Sequence, residues 1–170
     1  MRPQDVPILL KILSYDKGKQ PWQMRNIASD LKISPSEVSE SLNRSVEAEL
    51  LDSRKKNVNR LALNEFLIHG IRYVFPQKPG PMVRGMKTAH SAPPLNKAIS
   101  SNENYVWPYA EGQVLGQAIE PLYPSLVQAA KNDSFLYQCL ALIDVLRVGR
   151  TREQSLAKKE LERFILQNGK

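Results

Sequence analysis

Two short amphipathic segments that flank a tight turn constrain the fold of this chain more than any other feature. Ser34 is placed to cap the second segment as a helix, Pro35 suits its first turn, and Glu37 completes a capping box. The sequence therefore predicts helices over about 23–31 and 35–48 that pack across the turn. The apolar positions that carry this pattern are Ile27, Leu31, Ile33, Val38 and Leu42.

Segments on either side extend the pattern. Residues 5–15 have an apolar face at helical spacing and predict a first helix. Beyond the second helix of the pair, residues 50–53 and 59–63 are typical of two strands around a basic turn. Asn64 can then cap a further helix that runs to Phe75 and ends before proline.

This order of three helices, a hairpin and a helix resembles the winged helix-turn-helix transcriptional regulators, in the broad sense of the MarR, IclR and ArsR families. The resemblance covers about residues 5–75 and implies that the second helix of the pair enters a DNA major groove. Glu49 stands where such families usually place a glycine. The matching positions are Ile27-Ala28, Leu31, Ile33-Ser34, Val38-Ser39, Leu42 and Leu50-Leu51.

One face of the helix over 35–48 is a candidate for base recognition. Val38 and Leu42 fall together on a helical wheel and should face the core, which turns the polar residues outward. Asn and Arg are suited to bidentate contacts with adenine and guanine, although an ordinary solvated helix face would have a similar composition. With the family resemblance, the candidates for DNA contact are Ser34, Ser36, Ser39, Glu40, Asn43 and Arg44.

Basic residues follow in the predicted wing. Arg54, Lys55, Lys56 and Arg60 place four cations around one turn, where they could reach phosphates and release counterions. A solubilising charged turn would look the same in isolation. The net charge of the chain, +7, suits a nucleic-acid partner without requiring one.

Composition divides the chain into three parts. Residues 1–75 are the predicted DNA-binding domain. Residues 76–104 are rich in proline and contain cations but only one acid, which predicts a strap or linker, or alternatively a basic arm along DNA. Residues 105–170 predict a mostly helical interaction domain that begins with a short β-hairpin over 105–120. The expected fold class is mainly α, of the α+β type.

The second half offers surfaces for protein partners. A strongly apolar helix over 134–148 and an amphipathic helix after it could form a homodimer interface or pack internally. The runs 108–112, 121–125 and 146–153 resemble regulators encoded beside nucleotidyltransferase-type toxins, which implies a possible toxin partner. The candidate interface residues are Phe135, Leu140, Ile143, Leu146 and Phe164.

Several classes of function lack their sequence signals. There is no phosphate-binding glycine loop and no nucleophile elbow, and His69 and His90 lack metal-ligand spacing. The single cysteine, Cys139, sits in an apolar helical pattern and predicts a buried thiol. We therefore expect no enzyme, no cofactor and no metal. No apolar run approaches a membrane span of about 18 residues, and we expect a cytoplasmic location.

The sequence thus predicts a dimeric, sequence-specific double-stranded DNA-binding transcriptional regulator that acts as a repressor. The first alternative is a protein-interaction module, such as an antitoxin or adaptor, whose C-terminal half binds a partner. The second is a ligand-sensing regulator with a pocket near the aromatic residues Tyr105, Trp107, Tyr109 and Tyr123.

Overall fold

Within residues 1–166, which the computed structural model describes, eight α-helices and two short 3-10 helices accompany a small three-stranded sheet. The chain therefore has a mixed α and β fold. None of the α-helices in the described residues is both long enough and apolar enough to cross a membrane. The helices are α1 (Asp5–Lys17), α2 (Met24–Leu31), α3 (Pro35–Glu47), α4 (Arg60–His69), α5 (Ile71–Val74), α6 (Leu126–Lys131), α7 (Ser134–Val148) and α8 (Thr151–Leu166), and the strands are β1 (Met82–Lys87), β2 (Tyr105–Pro108) and β3 (Val114–Ala118).

The helices α3 and α7 begin where the sequence predicted, each at a side-chain cap. The Ser34 hydroxyl accepts a hydrogen bond of 3.2 Å from the amide of Glu37 at the start of α3. Asp133 caps α7 in the same way, with a carboxylate oxygen 2.9 Å from the amide of Leu136. Both caps satisfy amides that the first helical turn leaves free, and they confirm the predicted starts of these helices.

The predicted strand over 59–63 is wrong, because α4 begins there. The Asn59 side chain accepts from the amide of Ala62 at 3.2 Å, so the helix cap falls at Asn59 and Asn64 is buried inside α4. The wing is reduced to a tight turn closed by one bridge between Leu51 and Val58. Glu49 enters this turn with a φ of 58°, in the left-handed region that favours glycine.

The strands β2 and β3 form where the sequence predicted a hairpin, but they do not pair as one. Both lie antiparallel to β1, with Trp107 opposite Met86 and Leu115 opposite Arg84, and β2 and β3 meet each other in parallel. The segment predicted as a strap therefore supplies the common partner strand. Gly85 is required in it, because a Cβ atom there would lie 2.0 Å from the carbonyl oxygen of Trp107.

A continuous cluster of buried apolar side chains runs from α1 to α8 and joins the predicted parts of the chain. The α7 helix lies at its centre, in contact with α1, α4, α5, α6 and α8. The predicted dimer-interface residues belong to this core, so that assignment is wrong and the alternative of internal packing holds. Cys139 is fully buried there, as expected. The interface candidates Phe135, Leu140, Ile143, Leu146 and Phe164 have exposed fractions of 0–9%.

A buried polar group fastens the sheet to α7. The Asp144 carboxylate accepts from the Thr88 hydroxyl at 2.7 Å, from the Trp107 indole at 2.6 Å and from Arg147 at 2.8 Å. Arg147 also donates to the carbonyl oxygen of Phe75 at 2.9 Å. This hub was not predicted, although an aspartate and an arginine three residues apart within an apolar helix were a signal that both are buried and paired.

Candidate nucleic-acid interface

Caps define both ends of α2, including the turn that leads into α3. At the start of α2, the Asn26 carboxamide accepts from the amide of Gln23 at 3.0 Å. Lys32 ends α2 in the left-handed conformation, with a φ of 55°, and Ile33 is then buried. The chain re-enters a helix at once through Ser34, which leaves α3 at the protein surface.

The α3 helix presents a buried face and an exposed face. Val38 and Leu42 are buried, as predicted, together with the small side chains of Ser41 and Ser45. The outward positions carry candidates for DNA contact. Of these candidates, Ser34, Ser36, Glu40 and Asn43 are exposed, Ser39 is partly exposed, and the Ser34 hydroxyl is already used as the helix cap.

Arg44 does not belong to the exposed face, and its assignment to base recognition is not supported by the geometry. Its guanidinium lies 2.7 Å from a carboxylate oxygen of Asp5 and 2.8 Å from one of Glu37. Burial by itself would raise the pKa of Asp5, but the hydrogen bonds from Arg44 and from the Arg2 amide outweigh it and lower that pKa. The arginine turns inward because a fully buried carboxylate on α1 requires a counter-charge.

The turn after α3 is held by a single aspartate. Asp52 donates its amide to the carbonyl oxygen of Asn57 at 2.9 Å. Its carboxylate accepts from the amides of Lys56 and Asn57 at 2.7 and 3.1 Å, and these bonds lower the pKa of Asp52. The result is a compact loop, residues 52–57, whose tip carries Arg54, Lys55 and Lys56.

Two of these tip cations contact α3 and the segment before α2. The Lys55 ammonium donates to the side-chain oxygen of Asn43 at 2.5 Å. The Lys56 ammonium lies 4.9 Å from the ring centroid of Trp22, just before α2. The first contact joins the basic loop to the exposed face of α3, and the second joins it to the segment before α2. Neither contact was predicted from the sequence.

Arg60, the fourth predicted wing cation, lies elsewhere. It is the first residue of α4, and its guanidinium donates to the carbonyl oxygen of Ile165 at 3.0 Å and to Asp16 at 3.4 Å. Its assignment to the wing was wrong because it depended on the strand over 59–63. Arg60 instead satisfies a carbonyl group at the end of α8.

Exposed charges of both signs lie on α2 and α3 and in the turns beside them. Arg25 is exposed on α2 and Lys32 directly after it. Glu40 and Glu47 are exposed on α3 itself. An anionic polymer would be attracted by the cations and repelled by the carboxylates, so binding would depend on orientation.

The predicted basic arm is largely ordered into β1 and its flanks. Lys78, Arg84 and Lys87 are all exposed, with Arg84 and Lys87 in the strand. Contact between this segment and DNA stays a prediction.

The histidines occupy unrelated positions. His69 is exposed at the end of α4, and His90 is buried with its Nε2 atom 3.0 Å from the carbonyl oxygen of Glu103. Within residues 1–166, no three His, Cys, Asp or Glu side chains are grouped as a metal site would require.

No family model, curated protein or solved structure matches this chain.

Proposed function

We propose that the chain is a winged helix-turn-helix protein that binds double-stranded DNA sequence-specifically and acts as a transcriptional repressor. The observation that carries this proposal is the contact between Lys55 and Asn43, which joins the basic loop over 52–57 to the exposed face of α3. A protruding helix beside a cationic loop matches the shape and charge of a major groove between two phosphate strands.

Recognition would be divided between helix and loop. The hydroxyl of Ser36, in the first turn of α3, can bond a phosphate or a base near the positive end of the helix dipole. Because the Asn43 oxygen accepts from Lys55, its amide group is left to donate to an acceptor such as N7 of a purine. Glu40 can accept from a cytosine amine, and the loop cations supply phosphate contacts.

A homodimer stays part of the proposal, because two copies on a symmetric operator would raise the affinity of a small recognition surface. The five apolar residues first assigned to its interface are buried in the core. A second copy would therefore contact other residues, and light scattering coupled to size exclusion would give the oligomeric state.

Fluorescence-anisotropy titration of the chain against the DNA upstream of its own gene and against a scrambled duplex tests the proposal. We expect the upstream duplex to bind about a thousandfold more tightly at physiological salt, within the range of specific binders. Asn43→Ala should remove roughly ten- to a hundredfold of that preference, because one good side-chain contact to a base discriminates by about 1–3 kcal/mol.

Asn102→Ala is the matched control, since Asn102 is an exposed asparagine in the loop before β2. It should leave the preference unchanged. Equal binding to both duplexes would contradict sequence-specific recognition, and equal preference in the Asn43→Ala and Asn102→Ala proteins would remove α3 as the reading helix. The absence of binding to either duplex would contradict DNA binding altogether.

A further inference from the structure

Two neighbouring cavities lie in the C-terminal half, far along the chain from the proposed DNA-binding surface. One has a volume of about 230 Å³ and lies beside the end of β1. The other has a volume of about 420 Å³ and lies at the start of α8. Ile99 and Ser100 line both cavities, so the two adjoin, and we refer to them together as one cleft with a smaller and a larger compartment.

The cleft carries an excess of positive charge. Arg150 and Arg152 line the larger compartment and Lys87 lines the smaller one. Among residues 1–166, none of these three cations has a carboxylate partner within ion-pair distance. The acid in the larger compartment, Glu153, accepts a hydrogen bond from the backbone amide of Arg150 at 2.9 Å and keeps its negative charge. Three cations against one carboxylate leave the cleft with a net positive charge, which favours an anionic ligand.

The start of α8 adds to this preference. The helix spans 16 residues from Thr151, and its first turn borders the larger compartment through Arg152 and Glu153. A helix N-terminus carries a partial positive charge and favours an anion. Two arginines beside it provide planar donor groups that match the oxygens of a phosphate.

The smaller compartment contains a buried side chain with an unused acceptor. His90 is 5% exposed, and because its Nε2 atom faces the carbonyl oxygen of Glu103, that nitrogen must carry the proton. In neutral His90 the Nδ1 atom is then an acceptor, and it has no hydrogen-bond partner among residues 1–166. A buried polar atom without a partner is costly, and a ligand with an N–H or O–H group could supply one once the side chain adjusts.

Tyr105 packs against His90, with the two ring centroids 4.6 Å apart. Burial, together with the nearby carboxylates of Glu153 and Glu103, raises the pKa of Tyr105, so its hydroxyl stays protonated at neutral pH. Asn96 and Asn104 line the same smaller compartment and add neutral donors and acceptors.

We infer that this cleft binds a small phosphorylated molecule. Its phosphate would lie between Arg150, Arg152 and the first turn of α8, and its uncharged polar part would lie beside His90 and the two asparagines. The two volumes together fall within the roughly 300–1,000 Å³ typical of small-molecule sites. The inference does not depend on DNA binding.

Isothermal titration calorimetry and thermal unfolding of the full chain test the inference with two matched pairs of probes. Ribose 5-phosphate is compared with ribose, and adenosine monophosphate with adenosine. We expect at least one phosphorylated probe to bind and its neutral counterpart not to bind. At a concentration ten times its Kd, the bound probe should raise the melting temperature by roughly 3–6 °C.

Substitution of the two arginines locates the site. Arg150→Ala with Arg152→Ala should raise the Kd at least about tenfold, as expected for loss of charge-assisted hydrogen bonds. The control is Lys159→Ala with Arg163→Ala, which removes two exposed cations from the same helix and should leave the Kd unchanged. If the alanine pair perturbs the far-ultraviolet dichroism, Arg150→Gln with Arg152→Gln replaces it.

Three outcomes would overturn the inference. The first is a Kd weaker than about 10 mM for both phosphorylated probes, since such binding is too weak for a built site. The second is equal binding of the neutral and the phosphorylated members of each pair. The third is an equal loss of affinity in the arginine and control variants, which would show that only the overall charge matters.

Discussion

Replacement of Arg44 by alanine should destabilise the whole chain instead of altering DNA preference alone. The substitution removes the guanidinium that holds the Asp5 carboxylate, which is 0% exposed. Removing one partner of a buried ion pair typically costs about 3–5 kcal/mol, because an uncompensated charge stays behind. The Arg44 side chain is 20% exposed, so water can partly replace it. We therefore expect a loss at the lower end of that range, about 3 kcal/mol.

Urea denaturation followed by tryptophan fluorescence measures this loss. With an ordinary dependence of stability on urea, the midpoint should fall by roughly 1–2 M. Arg25→Ala is the control, because Arg25 is exposed on α2, and it should change stability by less than about 0.5 kcal/mol. An unchanged midpoint in Arg44→Ala, together with lost DNA site preference, would refute this reasoning and restore Arg44 as a base-reading residue.

The pH dependence gives a second test of the same pair. In the natural chain the lowered pKa of Asp5 gives stability that is present above the ordinary aspartate value of about 3.9 and lost below it. Without Arg44, burial should raise the pKa of Asp5, so the variant is destabilised at neutral pH and recovers as Asp5 is protonated. The stability difference between the two proteins should therefore shrink between pH 7 and about pH 4. A difference that is independent of pH would show that Asp5 is not the group responsible.

Three further substitutions test the fold. Glu49→Gly should stabilise the chain by about 0.5–1 kcal/mol, because relief of a left-handed backbone exceeds the entropy cost of glycine, and a lower melting temperature would contradict this. Asp144→Asn should destabilise it by about 3 kcal/mol in urea, since the neutral carboxamide leaves the buried Arg147 charge uncompensated and offers one oxygen to three donors, whereas a change below about 1 kcal/mol would show that the hub is dispensable. Gly85→Ala should abolish cooperative unfolding, because its Cβ would overlap a backbone oxygen of β2. Gly18→Ala, with only ordinary contacts around its Cβ, is the control and should fold normally.

Features encoded within a few residues were predictable from the sequence. Ser34 and Asp133 each cap a helix with a hydrogen bond that spans three residues, and the helices they begin were placed correctly. The same reasoning failed at Asn59 and Asn64, because both are suitable caps and only the structure shows which one is used. Two apolar residues in alternation, as at Leu61 and Leu63, are too few to distinguish a strand from a helix.

Features that depend on distant residues were not predictable. β1 pairs with residues that lie 19 to 35 positions later in the chain, and the prolines and glycines around it gave this segment the composition of a loop. Arg44 illustrates the same limit at the candidate site. A helical wheel gives the direction of its Cα–Cβ bond, but a long side chain can turn back to Asp5, 39 residues earlier. The contact between Lys55 and Asn43 was likewise invisible, because the wheel treats each helix alone.

The number of cations that are free to contact phosphates determines how strongly DNA affinity should depend on salt concentration. The sequence offered four cations for phosphate contact, but Arg60 is engaged inside the protein, which leaves Arg54, Lys55 and Lys56. Each phosphate contact contributes about 0.9 to the slope of log affinity against log salt concentration, so these three predict a slope of roughly −2.7 per copy where four would give roughly −3.6.

The double substitution Lys55→Ala and Lys56→Ala should reduce that slope by roughly 1.8 and weaken binding to all duplexes alike. Lys158→Ala with Lys159→Ala, two cations of α8, serves as the control for net charge and should leave the slope unchanged. Equal slopes for the natural chain and the Lys55→Ala, Lys56→Ala protein would show that the loop does not reach the phosphates. In that case the contact between Lys55 and Asn43 serves only to hold the loop against α3, and it no longer supports the proposed DNA binding.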